Sequence, residues 1–318
     1  MPHVHEKRHQ PVDGRRRPSN GYDRHANGYD RHATGYDRNP NGYERRSHGY
    51  DRPASGYARP RQHIQQRHHH FQHLNPFEKH LVAATGEFVG TFLFLFFGYA
   101  GHLMVLDQGA ATPSGSRVIY ISLAYGFSLL VTVWAFYRIS GGLFNPAVTL
   151  GMCIAGQLPW VRGAFLIPTQ LIACMCAGAV VKVMFPGDIS AINTTLAPGM
   201  NLAQGVFAEM FFTCYLVFVI LMLAAEKSKD TFLAPIGIGL ALFVAEIPGV
   251  YYTGGSLNPA RSLGCAVAAP QFPGYHWIYW VGPLLGALIA AGYYRFVKIC
   301  HYEEANPGQD NAHAPPEV

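Results

Sequence analysis

The sequence predicts an all-α membrane protein with six transmembrane helices and two re-entrant half-helices. Three observations predict this fold: six long apolar segments follow residue 80, two shorter apolar segments each begin with an Asn-Pro-Ala triplet, and the two halves of the chain resemble each other. Apolar runs of about 20 residues match the hydrocarbon thickness of a bilayer. The predicted spans are 81–103, 118–137, 160–184, 204–224, 232–252 and 277–299.

The two shorter segments, about 145–155 and 258–269, begin at Asn145-Pro146-Ala147 and Asn258-Pro259-Ala260. Each is too short to cross a bilayer. A half-span is tolerated at membrane depth only where protein buries it or water lines it. Asn is a strong N-cap, and Pro at the first helical position loses no hydrogen bond. Each triplet is therefore predicted to start a half-helix.

An internal repeat relates the two halves. Gly86-Glu87-Phe88 matches Ala208-Glu209-Met210, and the heptapeptide that begins at Asn145 matches the one that begins at Asn258. Each half holds three predicted spans, and an odd number of spans turns the second copy upside down. This is the inverted-repeat plan, which places the functional centre near mid-membrane.

The inversion predicts a lumen where the two half-helices meet. Both helix dipoles direct their positive ends at this point, so a pore there would repel cations and protons. The side-chain NH₂ groups of Asn145 and Asn258 are expected to point into the lumen as donors. Backbone carbonyls are expected to line it as acceptors, since their extended segments have no helical partners. These carbonyls belong to Gly141, Gly142, Leu143, Phe144, Gly254, Ser256 and Leu257.

Charge divides the chain into a tail and a channel region. Residues 1–74 hold 14 of the 24 Lys and Arg and 7 of the 19 Asp and Glu, so the net positive charge belongs to them and indicates no nucleic-acid-binding domain. A Gly-Tyr pair recurs there every seven residues from Gly21 to Gly56. One apolar position per heptad is too few for a coiled coil, so we expect a disordered cytoplasmic tail. Residues 75–300 form the predicted channel domain, and residues 301–318 a short cytoplasmic tail.

The distribution of Lys and Arg predicts that both termini are cytoplasmic. Separately, we expect the plasma membrane rather than an internal membrane. The loop at 185–203 then faces outward, and its Asn193-Thr194-Thr195 fits a glycosylation acceptor. The predicted cytoplasmic cations outside the N-terminal tail are Arg138, Arg162, Lys227, Lys229, Arg295 and Lys298, whereas Arg117 and Lys182 lie on the other side.

Catalytic chemistry is not indicated. The six Cys show no Cys-x-x-Cys spacing, which favours packed thiols over disulfides or a metal site. We find no nucleophile–base constellation, so we expect no enzyme activity, no cofactor and no bound metal.

The paired triplets, the flanking Ile139-Ser140-Gly141-Gly142 and Tyr252-Thr253-Gly254-Gly255, and the segment from Trp277 to Pro283 resemble the aquaporins, or major intrinsic proteins. The resemblance covers about residues 78–300. It implies a homotetramer in the bilayer with one pore per subunit. In this family, residues equivalent to Glu87 and Glu209 are buried and accept hydrogen bonds from the re-entrant loops. The long tail and the divergent filter described below suggest a fungal member.

The resemblance also assigns a branch and a selectivity filter. Ser262 after Arg261, Ala266, and Tyr279-Trp280 resemble the water-selective branch; glycerol channels usually have Asp after the Arg. Counting from the triplets, the filter positions are Tyr125, Glu246, Gly255 and Arg261.

Glu246 departs from the His that water channels usually carry at its position. A carboxylate at membrane depth is costly and usually functional. It is expected to pair with Arg261 across the lumen or to act as a protonated donor. The alternative is that Pro248 shifts the helix and turns Glu246 away from the lumen. If Glu246 faces the lumen, permeability should depend on pH.

We therefore predict a passive water channel. The alternatives are a facilitator of another small neutral solute, such as hydrogen peroxide or glycerol, and a closed or tail-gated channel that acts as a scaffold or sensor.

Overall fold

The computed structural model describes residues 74–109, 114–228 and 231–307. The predicted repeat tail lies almost entirely outside these ranges, as do residues 308–318 of the predicted C-terminal tail. The described residues are helical and contain no strand, as predicted. Within these described ranges, six helices are long and apolar enough to cross a membrane.

The spanning helices are α1 (Pro76–Asp107), α2 (Ser114–Phe136), α4 (Trp160–Met184), α5 (Leu202–Ile220), α6 (Ala234–Tyr252) and α8 (Ile278–Ile299). The two half-helices are α3 (Pro146–Ile154) and α7 (Pro259–Ala268), and a short helix α9 (Tyr302–Ala305) follows the last span. A one-turn 3₁₀ segment, Ile189–Ile192, lies between α4 and α5, and another, Thr231–Leu233, precedes α6. A π-helical turn, Leu221–Ala225, continues α5.

Helix starts follow local capping chemistry. Asn75 and Glu78 form a capping box with Pro76 at the first position, so α1 begins five residues before the predicted span. Asn201 and Gln204 form the equivalent box at α5. Both boxes satisfy backbone N–H groups that a helix start leaves without partners.

The spans pack as two similar sets. Helix α1 packs on α2 and α4, and α5 packs on α6 and α8. The sets meet where α2 crosses α6 at Gly126 and Gly239. A Cβ atom on Gly126 would lie 2.9 Å from the carbonyl oxygen of Gly239, and one on Gly239 would lie 2.7 Å from that of Gly126. Small residues at this crossing let the two backbones approach closely, as is common between membrane helices.

Candidate functional site: the half-helix junction and the arginine constriction

The half-helices α3 and α7 begin at the two triplets and are capped by their Asn side chains. Asn145 Oδ1 accepts from the backbone N–H groups of Ala147 (2.8 Å) and Val148 (3.4 Å). Asn258 Oδ1 accepts from that of Ala260 (2.9 Å). Both Asn side chains are almost fully buried, and both line one central cavity.

The two Asn side chains also join the halves of the chain. Asn145 Nδ2 donates to the carbonyl of Leu257 (2.8 Å), and Asn258 Nδ2 donates to the carbonyl of Phe144 (2.9 Å). The expectation that both NH₂ groups point into the lumen is corrected in one respect: one N–H of each is donated to a carbonyl of the opposite half. The inversion brings each Asn against the last carbonyl before the opposite triplet, so one N–H of each amide is used within the protein.

The residues before the triplets have unusual backbone angles. Phe144 has φ of 50° and Leu257 has φ of 52°. Positive φ costs an L-residue roughly 1–2 kcal/mol and persists only where the surroundings fix it. The same strain at equivalent positions of both halves shows that the re-entrant loops share one geometry.

Two buried carboxylates fix these loops from behind. Glu87 accepts from the backbone N–H groups of Leu143 (2.9 Å) and Phe144 (2.8 Å), and also from Ser140 and Gln170. Its counterpart accepts in the same way: Glu209 receives the N–H groups of Ser256 (3.1 Å) and Leu257 (2.8 Å) and the hydroxyl of Thr253 (2.6 Å).

Arg261 follows the second triplet and is held by surrounding groups at 1% exposure. Its NH1 group donates to the carbonyl of Ile192 (2.9 Å) and to Cys265 Sγ (3.0 Å). The guanidinium carbon lies 4.9 Å from the centre of the Tyr125 ring, within cation–π range. Among the described groups, Arg261 Nε finds no hydrogen-bond partner.

The loop that supplies the Ile192 carbonyl is ordered by Asp188. This carboxylate caps the 3₁₀ turn Ile189–Ile192 and accepts from the backbone N–H (2.9 Å) and the hydroxyl (2.5 Å) of Ser190. These hydrogen bonds favour the ionised form and hold the pKa of Asp188 below its ordinary value. The support of Arg261 therefore includes the loop between α4 and α5, which is distant in sequence from both triplets.

Comparison with known proteins agrees with this architecture. The sequence profile of the family described as "Major intrinsic protein" matches residues 75–294. The chain belongs to this family, the aquaporins. It is 69% identical over 244 residues to "Probable aquaporin-3" of Gibberella zeae, covering 75% of this chain and 85% of that protein. It is 55% identical to "Aquaporin-7" of Botryotinia fuckeliana, covering 74% of this chain and 54% of that protein.

Among solved structures, the chain resembles the "X-ray structure of the aquaglyceroporin from Plasmodium falciparum", with a TM-score of 0.60 and 21% identity over 71% of this chain and 99% of that one. At this identity the likeness concerns the fold. It agrees with six spans and two half-helices in a membrane channel.

Within the aquaporin framework, the central cavity is narrow. It offers about 20 Å³ to the centres of water molecules, which is room for about one or two waters at a time. Of the predicted filter residues, Tyr125, Glu246 and Arg261 line it. Of the predicted carbonyl-bearing residues, Gly142, Leu143, Ser256 and Leu257 line it.

A wider cavity of about 260 Å³ shares Gly142 and Leu143 with the central one and lies on the side of the chain termini. Gly141 lines this cavity too, together with Tyr137 and Lys227. Lys227 Nζ donates to the hydroxyl of Tyr137 (3.1 Å) at this mouth. Two predicted carbonyls belong to residues that line neither cavity: that of Phe144 accepts from Asn258 Nδ2, and that of Gly254 lies near Arg261 NH2 (3.4 Å).

Glu246 is fully buried and directed at the central cavity, so Pro248 does not turn it away. A Cβ atom on residue 255 would lie 1.9 Å from Glu246 Oε2, so the carboxylate occupies the space that Gly255 leaves open. Oε2 has no hydrogen-bond partner in the described part of the chain.

The predicted ion pair between Glu246 and Arg261 is not formed among the described residues. The physical reason is that the NH1 and NH2 groups of Arg261 are already directed at other acceptors.

One residue in contact with this constriction, His102, was not predicted from the sequence. It lies on α1 at 5% exposure, and its Nδ1 lies 3.3 Å from Arg261 NH2 and 3.3 Å from the hydroxyl of Tyr125. A signal was available, since a His inside a predicted span is unusual enough to be examined as a functional residue.

The predicted glycosylation acceptor is also corrected. Asn193 is only 9% exposed, and its Nδ2 lies 3.5 Å from the carbonyl of Gln271. The next residue, Thr194, is buried and donates to Ser262 (2.9 Å), close to the second half-helix. A glycan needs an accessible amide, and packing of this loop against the channel leaves none at Asn193.

Proposed function

We propose that this channel conducts water passively along its gradient. The observation that carries the proposal is the constriction itself. A cavity with room for about one or two waters is lined by both half-helix Asn residues, by Arg261 and by Glu246. These side chains offer a passing water both hydrogen-bond donors and an acceptor.

The half-helix junction supports the exclusion of ions. The N-termini of α3 and α7 meet beside the cavity, and each contributes about half a positive elementary charge. The fixed cation of Arg261 adds to this field. A passing water orients to the donors at the junction, because each Asn amide retains one N–H that the opposite loop does not take.

A second candidate is a small solute with hydrogen-bond donors, such as hydrogen peroxide, and Glu246 is the observation that favours it. The carboxylate oxygen of Glu246 offers the solute a hydrogen-bond acceptor. Gly255, on the loop beside it, has no side chain to block the solute. Glycerol is the larger alternative, and the narrow cavity disfavours it.

The orientation and assembly remain proposals. Contacts near the ends of the spans, such as those of Arg162 with His80 (2.7 Å) and of Lys298 with Glu226 (3.2 Å), gather several basic residues on the side of the chain termini. The positive-inside rule then supports cytoplasmic termini. A homotetramer in the plasma membrane is the assembly that we propose from family membership.

Stopped-flow light scattering on proteoliposomes containing the full chain tests the function. We expect shrinkage in a sucrose gradient to be faster than in protein-free vesicles, with glycerol uptake equal to that of protein-free vesicles. Fast glycerol uptake would contradict water selectivity. Equal water rates with and without protein would contradict an open water channel. Deletion of residues 1–74 would then distinguish a tail-gated channel, because a channel closed by its tail would gain water flux when the tail is removed.

A further inference from the structure

Glu246 and Arg261 present an electrostatic problem. They line the same narrow cavity, both are at most 1% exposed, and each retains a buried polar atom without a partner in the described chain. Opposite charges attract far more strongly in such surroundings than in water. Yet they form no ion pair among the described residues. For an ionised Glu246, other contacts must therefore hold the guanidinium back.

The hydrogen bonds of Arg261 identify these contacts. Both N–H groups of NH1 have acceptors, the carbonyl of Ile192 and Cys265 Sγ. The NH2 group faces His102 Nδ1 at 3.3 Å and the more distant carbonyl of Gly254 at 3.4 Å. His102 is therefore the nearest partner of NH2, and it comes from α1, on the opposite half of the repeat.

The chemistry of this contact fixes the role of His102. Arg carries five N–H donors and no acceptor, so the ring nitrogen that faces it must offer a lone pair. The same nitrogen lies 3.3 Å from the hydroxyl of Tyr125, and the two rings meet edge to face at 5.9 Å. His102 is not among the residues that line the central cavity. It stands behind the constriction and touches two of the residues that form it.

We propose that His102 is a positioning residue of the filter: it holds the Arg261 guanidinium away from Glu246 and thereby keeps the lumen open. The inference rests on the proposed function. Without an acceptor at this position, NH2 keeps only the carbonyl of Gly254, and the guanidinium can turn towards the carboxylate. The ion pair would then close a passage that has room for about one or two waters.

The test uses five variants of the full chain in proteoliposomes, with the flux of water or glycerol measured, whichever the wild type conducts. Loss of a hydrogen bond to a charged group shifts the equilibrium between the open filter and the filter closed by the ion pair by about tenfold or more. His102→Leu should therefore lower the flux by at least about tenfold. His102→Asn, whose Oδ1 can stand where Nδ1 stood, should retain most of the wild-type flux.

The decisive comparison is made in a Glu246→Gln background. A neutral amide cannot form the ion pair, so adding His102→Leu to Glu246→Gln should change the flux by less than about twofold. A residue needed only for folding would reduce the flux in both backgrounds. Thr91→Val is the matched control, since Thr91 is a fully buried residue of α1 whose hydroxyl has no partner in the described chain.

The outcomes are distinct. Equal losses from His102→Leu in both backgrounds, or loss in His102→Asn as large as in His102→Leu, would overturn the role of His102 while leaving the channel function in place. A wild type that conducts neither solute would overturn the proposed function and this inference together. Thr91→Val should match the wild type, and a loss there as large as in His102→Leu would make the effect one of α1 packing and overturn the inference.

Discussion

Replacing Asn145 by Asp tests the cation barrier at the half-helix junction. Asp keeps an acceptor for the N–H groups at the start of α3, so the cap survives. The substitution removes the N–H that donates to the carbonyl of Leu257 and places a carboxylate oxygen against that carbonyl. In the wild type, the amide nitrogen and this carbonyl oxygen lie 2.8 Å apart. We expect this contact to open at a cost of about 1–3 kcal/mol, which the fold should tolerate.

The effect on cations should be larger than the effect on folding. The two helix N-termini together present about one positive elementary charge, which a carboxylate would offset. At a separation of about 4 Å and an effective dielectric constant of about 20, one such charge contributes about 4 kcal/mol to the energy of a monovalent cation. Removing that contribution should raise the rate of cation passage by up to roughly a thousandfold.

Potassium efflux from loaded proteoliposomes measures this change directly. The wild type should not leak, and Asn145→Asp and the symmetric Asn258→Asp should both leak. Asn193→Asp is the matched control, because it adds the same charge in the loop beside Gln271, away from the junction. An Asn145→Asp channel that still conducts water but leaks no potassium would refute the dipole argument.

Four other predictions follow from single contacts. Gly255→Ala should abolish flux in the same vesicles, because its Cβ would lie 1.9 Å from Glu246 Oε2 and φ is +65°; unchanged flux would mean that the carboxylate lies elsewhere. Wild-type swelling should be faster at acidic pH, where a neutral Glu246 no longer attracts Arg261; an identical pH profile for Glu246→His would contradict this. Glu87→Gln should lower the thermal midpoint in detergent, since one re-entrant-loop N–H then faces an amide NH₂, at a cost of about 1–3 kcal/mol; an unchanged midpoint would count against its anchoring role. Asn193→Gln should leave gel mobility unchanged after expression in a glycosylating host, whereas a shift would show that Asn193 is accessible.

The architecture was predictable because its signals are local and repeated. Span length, the Asn-Pro pairs and the matched halves each follow from a few neighbouring residues, and the six spans and two half-helices agree with them. Tyr125, Glu246 and Arg261 could be selected because the family resemblance gives their counts from the triplets, and all three line the central cavity.

The contacts across the fold were less predictable. His102 lies 159 positions from Arg261, and nothing near it in sequence indicates that α1 approaches the second half-helix at that depth. The Glu246–Arg261 pair was expected from the opposite charges of two residues assigned to the same filter, whereas the outcome depends on how many other acceptors reach the guanidinium. Asn193 fitted a motif, but its burial depends on how the loop folds over α7.

The reciprocal bonds of Asn145 with Leu257 and of Asn258 with Phe144 have a consequence for biosynthesis. A ribosome delivers α3 to the membrane more than 100 residues before α7. Until α7 arrives, the amide of Asn145 and the carbonyl of Phe144 lack their partners at membrane depth. The first half-helix must therefore remain shielded or wait near the membrane surface, and the pore centre assembles only after the second half of the chain has been inserted.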